Sequence, residues 1–339
     1  MSRTLLVTGG AGFIGVNLIR HLRRERPDWT LINLDKLTYA GNFESLADLE
    51  ADEKHVFVRG DIANAELVEH LIRAHGVDSI LNLAAESHVD RSILGPGIFV
   101  ETNVGGTQNL LEVARHAGVK RFVQISTDEV YGSLGPEGRF TEASPLKPSS
   151  PYSASKTAAD LIALSYFHTF KLDVLVTRCS NNYGPYQFPE KLIPLMIANA
   201  LEGKRLPVYG DGQQIRDWIN VEDHSAAILA ALEKGKAGEV YNIGSDNEWA
   251  NLSIVREILK AVGKPESLIE FVKDRPGHDR RYAIDARKAH DELGWAPKIA
   301  FRDGLQRTVE WYVANRPWWE RVRSGAYRDY YQRNYGLRS

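Results

Sequence analysis

The chain has little that would build a disulfide framework, a metal centre or a charged landing surface. Among its 339 residues Cys179 is the only cysteine, so no bridge can form within the chain and nothing favours an oxidising compartment. Its place after Arg178, with no histidine near in sequence, makes it a packed thiol rather than a nucleophile. No histidine pair has the spacing that sets two metal ligands on one helical face, and no metal is expected. Lys and Arg number 42 against 44 Asp and Glu, a formal charge of -2, which removes the field that would gather nucleic acid or an anionic membrane. No run of ~18 apolar residues is available to span a bilayer. The apolar amino terminus is broken by four glycines and lacks a cleavage site, so it is not read as a secretion signal. No repeat or low-complexity segment stands out. A cytoplasmic protein with a small-molecule partner is the expectation. The tail from Trp318 to Tyr335 mixes aromatics with arginines and is read as a packing segment, against the second lobe or a second subunit.

What the chain does contain starts at its first strand. Thr4–Thr8 is short and apolar, and Phe13 to Arg24 has the period of a helix. Between them stand Gly9, Gly12 and Gly15. In this spacing Gly9 makes a tight turn, Gly12 lets the backbone approach a pyrophosphate at the helix N-terminus, and Gly15 allows the helix to pack close. A second strand ends at Asp35, about twenty residues on, where a carboxylate accepts from a ribose and repels a 2′-phosphate, favouring NAD over NADP. A third strand, 56–62, ends at Asp61 and Ile62 beside the adenine position. A fourth, 79–85, leads into Glu86 and His88 in the crevice, with His88 a weak candidate base. A long helix is expected over 97–117, and a further strand over 173–178. Alternating strands and helices through some 180 residues specify an α/β fold, a doubly wound, Rossmann-type parallel sheet.

The densest chemistry lies between Ser126 and Lys156. The strand 121–126 ends at Thr127, Asp128 and Glu129, at the carboxyl edge where open α/β sheets bind ligands. Ser149, Ser150 and Pro151 start a helix, which puts Tyr152 and Lys156 four apart on one face of its first turn. An ammonium beside a phenol, with the positive helix end nearby, is expected to lower the phenol's pKa and make it a general base.

After Arg178 the texture changes to donor-rich loops, a helix at 192–201, a short strand at 206–209 and a further sheet strand at 239–243. The expected organisation is a dinucleotide-binding domain over 1–179 with a later return at about 206–248, and a smaller α/β substrate lobe interleaved with it, mainly over 180–339. Arg216, Arg275, His278, Arg280 and Arg281 would give that lobe donors for a pyrophosphate.

The motifs Thr8-Gly-Gly-Ala-Gly-Phe-Ile-Gly15, Leu83-Ala-Ala-Glu-Ser-His-Val-Asp-Arg-Ser92, Ser126-Thr-Asp-Glu-Val-Tyr-Gly132, Tyr152-Ser-Ala-Ser-Lys156 and Asn181-Asn-Tyr-Gly-Pro185 resemble those of the extended short-chain dehydrogenase/reductases. Within that family the Thr-Asp-Glu triplet resembles the nucleotide-sugar 4,6-dehydratases. The resemblance implies NAD as cofactor, a sugar nucleotide such as dTDP-glucose as substrate, and a homodimer formed through the helices near 97–117 and 151–170. It implies oxidation at C4, loss of water across C5 and C6, and reduction at C6. Tyr152, helped by Lys156 and Thr127, would take the 4-hydroxyl proton, Glu129 the C5 proton, and Asp128 would protonate the departing C6 oxygen. The implied cofactor site comprises Gly9, Gly12, Phe13, Ile14, Gly15, Asp35, Lys36, Leu37, Thr38, Asp61, Ile62, Leu83, Ala84, Ala85, Ser87, Thr102, Tyr152, Lys156 and Asn182. The implied substrate site comprises Ser87, Thr127, Asn181, Lys191, Leu192, Pro207, Tyr209, Arg216, Asn251, Arg275 and His278. Two rivals stand beside this reading: an NAD-dependent sugar-nucleotide epimerase or decarboxylase, or a dehydratase for a CDP-, UDP- or GDP-sugar, and a non-catalytic NAD sensor.

Overall fold

Runs of apolar residues buried on both faces form parallel strands when helices cover them on each side. In the computed structural model, which describes residues 2–274 and 278–324, twelve strands form among those residues. They are β1 (Thr4–Thr8), β2 (Thr30–Asp35), β3 (His55–Arg59), β4 (Ser79–Asn82), β5 (Arg121–Thr127), β6 (Val174–Cys179), β7 (Asn181–Tyr183), β8 (Leu206–Tyr209), β9 (Ile215–Asn220), β10 (Val240–Ile243), β11 (Glu248–Ala250) and β12 (Ile269–Val272). Seven of them make one sheet in the order β10-β6-β5-β4-β1-β2-β3, with every pairing parallel. From β1 the chain first winds outward through β2 and β3, then returns to β4 on the other side. The connections diverge there, which opens a crevice at the carboxyl ends of β1 and β4.

Each face of the sheet has its own core. On one, Val16, Leu18 and Leu22 of the helix Phe13–Glu25 pack with Ile228 and Leu232 of Val221–Lys234. On the other, residues of Ala65–His75, Thr107–Ala117 and Pro151–Phe170 cover Leu6, Ile32 and Phe122. A third core, built from helices Leu192–Leu201, Asn251–Ala261 and Phe301–Ala314 with β8, forms the smaller lobe. The doubly wound α/β fold is therefore as the sequence reads.

Three local expectations are revised. Within the return read at 206–248, only Val221–Lys234 and β10 join the large sheet. β8 pairs instead with β12 in the third core, and β9 serves both lobes, with Trp218 in one core and Ile219 in the other. Successive side chains of a strand face opposite sides, so one strand can belong to two cores. The fourth strand stops at Asn82, short of Ala85. The helix expected over 97–117 contains a π-helical stretch, Val100–Gly106. There the Asn103 amide accepts from Glu86 N at 2.8 Å and donates to Glu86 O at 3.0 Å and Ser155 Oγ at 2.8 Å. Gly106 lies against Ile62, where a Cβ would come within 2.5 Å of Ile62 Cδ1. These contacts hold the extra residue of the wide turn, a distortion common at functional sites.

Beneath the crevice, Arg178 of β6 and Asp160 of the helix Pro151–Phe170 form an ion pair of 2.9 Å with 3% and 0% of their side chains exposed. Arg178 also donates to Tyr131 Oη at 3.0 Å, and Tyr131 donates to Asn242 at 2.7 Å, so β6, β10, the helix and the 3₁₀ turn after β5 are tied together. Removing one partner leaves a bare buried charge, which costs about 3–5 kcal/mol. Asp160→Asn is expected to lose stability on that scale in urea titrations, and Asp160→Asn/Arg178→Met to recover part of it.

Candidate active site

The crevice is lined from the carboxyl ends of β1 to β6 by residues that the sequence places far apart. At its floor is the glycine turn. Gly9 adopts φ 70°, and a Cβ there would sit 2.7 Å from Ala84 N. A Cβ on Gly15 would sit 2.2 Å from Gly9 O, so only glycine lets the helix start against the turn. The helix Phe13–Glu25 is N-capped by Gly12 with no side-chain cap, leaving its first N–H groups turned toward the crevice, where Phe13 and Ile14 lie. That is the arrangement a pyrophosphate requires. Asp35, buried and also lining the crevice, accepts from Ala11 N at 2.9 Å and Leu37 N at 2.7 Å, and burial raises its pKa. The two backbone bonds fix its carboxylate while leaving lone pairs for ribose hydroxyls.

Of the residues read as a cofactor site, all line this crevice except Leu37. Leu37 instead takes a left-handed φ of 55° and closes the turn on Asp35. Lys36 pairs with Asp61 at 2.7 Å across the outer end. Donors and shape therefore fit a dinucleotide.

At the inner end the five residues read as catalytic line the same cavity: Thr127, Asp128, Glu129, Tyr152 and Lys156. β5 delivers Thr127, whose hydroxyl caps the following 3₁₀ turn by accepting from Glu129 N at 3.2 Å. Ser150 caps the next helix in a reciprocal capping box with Ser153, and Pro151 occupies its first position, which sets Tyr152 and Lys156 on the buried face. Lys156 Nζ donates to Ile125 O at 2.7 Å.

The electrostatics correct one expectation. In the protein alone the Tyr152 phenol is held well above its usual pKa by burial first and then by the charge of Glu129, with a hydrogen bond to Thr127 opposing. Burial lowers the pKa of Lys156, and Asp160 partly compensates. Helical spacing predicts the pairing of phenol and ammonium but carries no information about burial or about the Glu129 carboxylate that opposes it. Asp128 is likewise held well above the carboxylate range, by burial first and then by Glu129 and Asp217. It is 1% exposed, and its Oδ2 has no hydrogen-bond partner, surroundings that favour the protonated form of the acid.

Among the residues read as substrate-binding, Ser87, Thr127, Asn181 and Lys191 line the crevice, whereas Leu192, Pro207, Tyr209, Arg216, Asn251 and His278 stand outside it. Arg275 lies outside the described residues, as does the tail beyond Ser324. Tyr209 donates to Asp90 at 3.2 Å and meets the His278 ring edge-on at 6.1 Å, and His278 lies 2.6 Å from Asp274. The Arg216 guanidinium sits 4.2 Å from the Tyr282 ring, and its charge reaches Asp128. Arg280 and Arg281, read as pyrophosphate donors, are engaged in ion pairs with Asp211 and Glu248. His88, weighed as a base, lies 3.9 Å from Glu190.

Sequence reasoning passed over Tyr39, Gln187, Phe188 and Glu190, which also line the cavity. Their only signal was position, each in a loop following a strand of the crevice. Cys179, read as a packed thiol, is in the cavity wall with its pKa pushed up to about 12 by burial, so it stays neutral.

The family model for GDP-mannose 4,6 dehydratase matches residues 6–308. The dTDP-glucose 4,6-dehydratase of Xanthomonas campestris pv. campestris (strain B100) is 53% identical, the match covering 96% of this chain and 97% of the relative. The chain belongs to the extended short-chain dehydrogenase/reductase family, on its nucleotide-sugar 4,6-dehydratase branch. Among solved structures, DesIV, the dTDP-glucose 4,6-dehydratase of Streptomyces venezuelae crystallised with NAD, is 52% identical with a TM-score of 0.91, covering 94% of this chain and 99% of that one. The UDP-glucose 4-epimerase of Thermotoga maritima, 30% identical, reaches a TM-score of 0.86 over 92% of this chain and 99% of that one. The family's fold thus serves epimerases and dehydratases alike, and the site has to discriminate them.

Proposed function

We infer that the protein is a dTDP-glucose 4,6-dehydratase that uses NAD and converts its substrate to the 4-keto-6-deoxy sugar nucleotide. The observation that carries this reading is Asp128, a buried acid beside Glu129 in the same cavity as Tyr152 and Lys156. An epimerase needs a base and a hydride acceptor. Removing water needs, in addition, a group that takes the C5 proton and one that protonates the departing oxygen.

NAD held in this crevice would supply an acceptor for the C4 hydride and a donor for C6. The chain's own residues handle the protons. Tyr152, oriented by Thr127, takes the proton of the 4-hydroxyl, and the resulting ketone makes the C5 hydrogen acidic. Glu129 removes it, Asp128, kept protonated by its surroundings, gives its proton to the C6 oxygen as water leaves, and Glu129 returns its proton to C5 when the hydride is added at C6. The glycine turn and the uncapped helix hold the cofactor's pyrophosphate, and Asp35 its ribose. The second lobe, through Arg216, Tyr209 and His278, holds the nucleotide of the substrate. In this reading the large sheet is the cofactor domain and the third core the substrate lobe.

Among the described residues no helix is long and apolar enough to cross a membrane, and a cytoplasmic enzyme is proposed. A homodimer through the helices near 97–117 and 151–170 is supported by exposed apolar side chains there: Leu94 at 65%, Val100 at 57%, Leu161 at 55% and Phe170 at 48%. The test of function is turnover of dTDP-, UDP-, CDP- and GDP-glucose followed by the alkaline absorbance of the keto product. The keto sugar is expected from the dTDP compound first. A C4 epimer as sole product would overturn the reading.

A further inference from the structure

Three loops at the rim of the crevice meet in a cluster that the proton chemistry does not use. The first follows β2, where the turn on Asp35 sends the chain inward at Tyr39. The second follows β4 and carries Ser87 into the short helix Val89–Leu94, which bears Arg91, and the third follows β7 and carries Phe188 and Glu190. The Arg91 guanidinium lies 3.6 Å from the centre of the Tyr39 ring, and its Nε and Nη2 each reach Glu190 Oε2 at 3.4 Å. The Tyr39 hydroxyl is hydrogen-bonded with Ser87 and with Glu190, while Phe188 meets the Tyr39 ring edge-on at 5.6 Å. The Glu190 side chain is 1% exposed, so its pairing is largely shielded from water.

The chemistry gives such a cluster a purpose. The reaction is redox-neutral: the hydride removed from C4 is the one added at C6, and no outside reductant enters. A sugar oxidised at C4 can be completed only while that hydride remains beside it. An open crevice at the edge of a parallel sheet does nothing to keep a bound dinucleotide from leaving part-way. Asp35 at the end of β2 and Lys36 and Thr38 in the loop after it line the crevice, and Tyr39 pins that same loop to the two others.

We propose that Tyr39, Arg91 and Glu190 form a latch that retains the cofactor between the two hydride transfers. The proposal rests on the dehydratase reading for its purpose, but the latch itself is measurable without the sugar. Breaking it gives up one cation–π contact and one shielded ion pair, worth about ten-fold in cofactor dissociation rate.

The experiment uses the enzyme as purified with its cofactor, and the variants Arg91→Ala, Glu190→Gln and Tyr39→Phe. Cofactor content after desalting and the release rate of the reduced cofactor, read by its fluorescence, are measured first. Turnover is then followed with lactate dehydrogenase and pyruvate present, which consume only reduced cofactor that has escaped. Wild type is expected to keep its cofactor and ignore the trap. Arg91→Ala is expected to release it about ten times faster and to lose turnover as the trap is raised. Arg91→Lys, which keeps the charge without the planar fork, should fall between the two and guards against a variant that fails to fold. Release at the wild-type rate in all folded variants would overturn the latch. Absence of dehydration by wild type would overturn the functional reading and leave the release rates to decide the latch.

Discussion

Tyr152→Phe is expected to lower turnover by about 10²–10⁴-fold while leaving the fold and the cofactor content in place. The ring is 8% exposed and packs with Val89 and Phe99, the latter edge-on at 6.3 Å, and phenylalanine keeps those contacts. Only the hydroxyl, with its bond to Thr127, is lost. Rapid mixing with substrate should therefore show no near-ultraviolet absorbance of reduced cofactor, because the block falls before the first hydride moves. The pH dependence follows from the surroundings. Base action needs the phenolate, and burial together with the Glu129 charge raises the phenol's pKa, so C4 oxidation should climb as pH rises. That acid limb should vanish in Tyr152→Phe. If the variant oxidises substrate at the wild-type rate and with the wild-type profile, Tyr152 is not the base.

What could be read from the chain was whatever its local pattern decides. β1, β2, β5 and β6 announce themselves because a strand covered on both faces is largely apolar, and the glycine turn because its close contacts exclude side chains. Tyr152 and Lys156 were legible for the same reason, four residues apart after a capped start. The π-helical stretch at 100–106 was not, since one inserted residue hardly disturbs the apolar period of the surrounding helix. Contacts between distant loops left no local trace either. Arg91 and Glu190 are 99 positions apart, and Asp160 looks like any polar residue on a helix until Arg178 is placed beside it. The direction of the Tyr152 shift belongs with these. It depends on depth and on which charges share the cavity, and spacing along one helix reports neither.

The sharpest separation of steps is expected from the acid pair. Asp128→Asn keeps the shape of the side chain but has no carboxyl proton to give, so loss of the C6 oxygen should slow by about 10²–10⁴-fold while C4 oxidation proceeds. Reduced cofactor should then build up, and the C5 hydrogen should still exchange with deuterated solvent. Glu129→Gln should stop that exchange. It also has a second effect of opposite sign, because Glu129 is the leading charge among the groups that raise the pKa of both Asp128 and Tyr152. Removing it lowers both. With Tyr152 as the proposed base, its acid limb should move to lower pH and oxidation at neutral pH should become faster, even as elimination fails. Asp128 acts protonated, so in wild type the elimination step should decline as pH rises through its raised pKa, and Asp128→Asn should abolish that alkaline limb. Stopped-flow absorbance for oxidation, with proton NMR of the C5 position for exchange, separates the two half-reactions in one sample. Parallel loss of both in Glu129→Gln would mean that its carboxylate holds the site together rather than removing a proton.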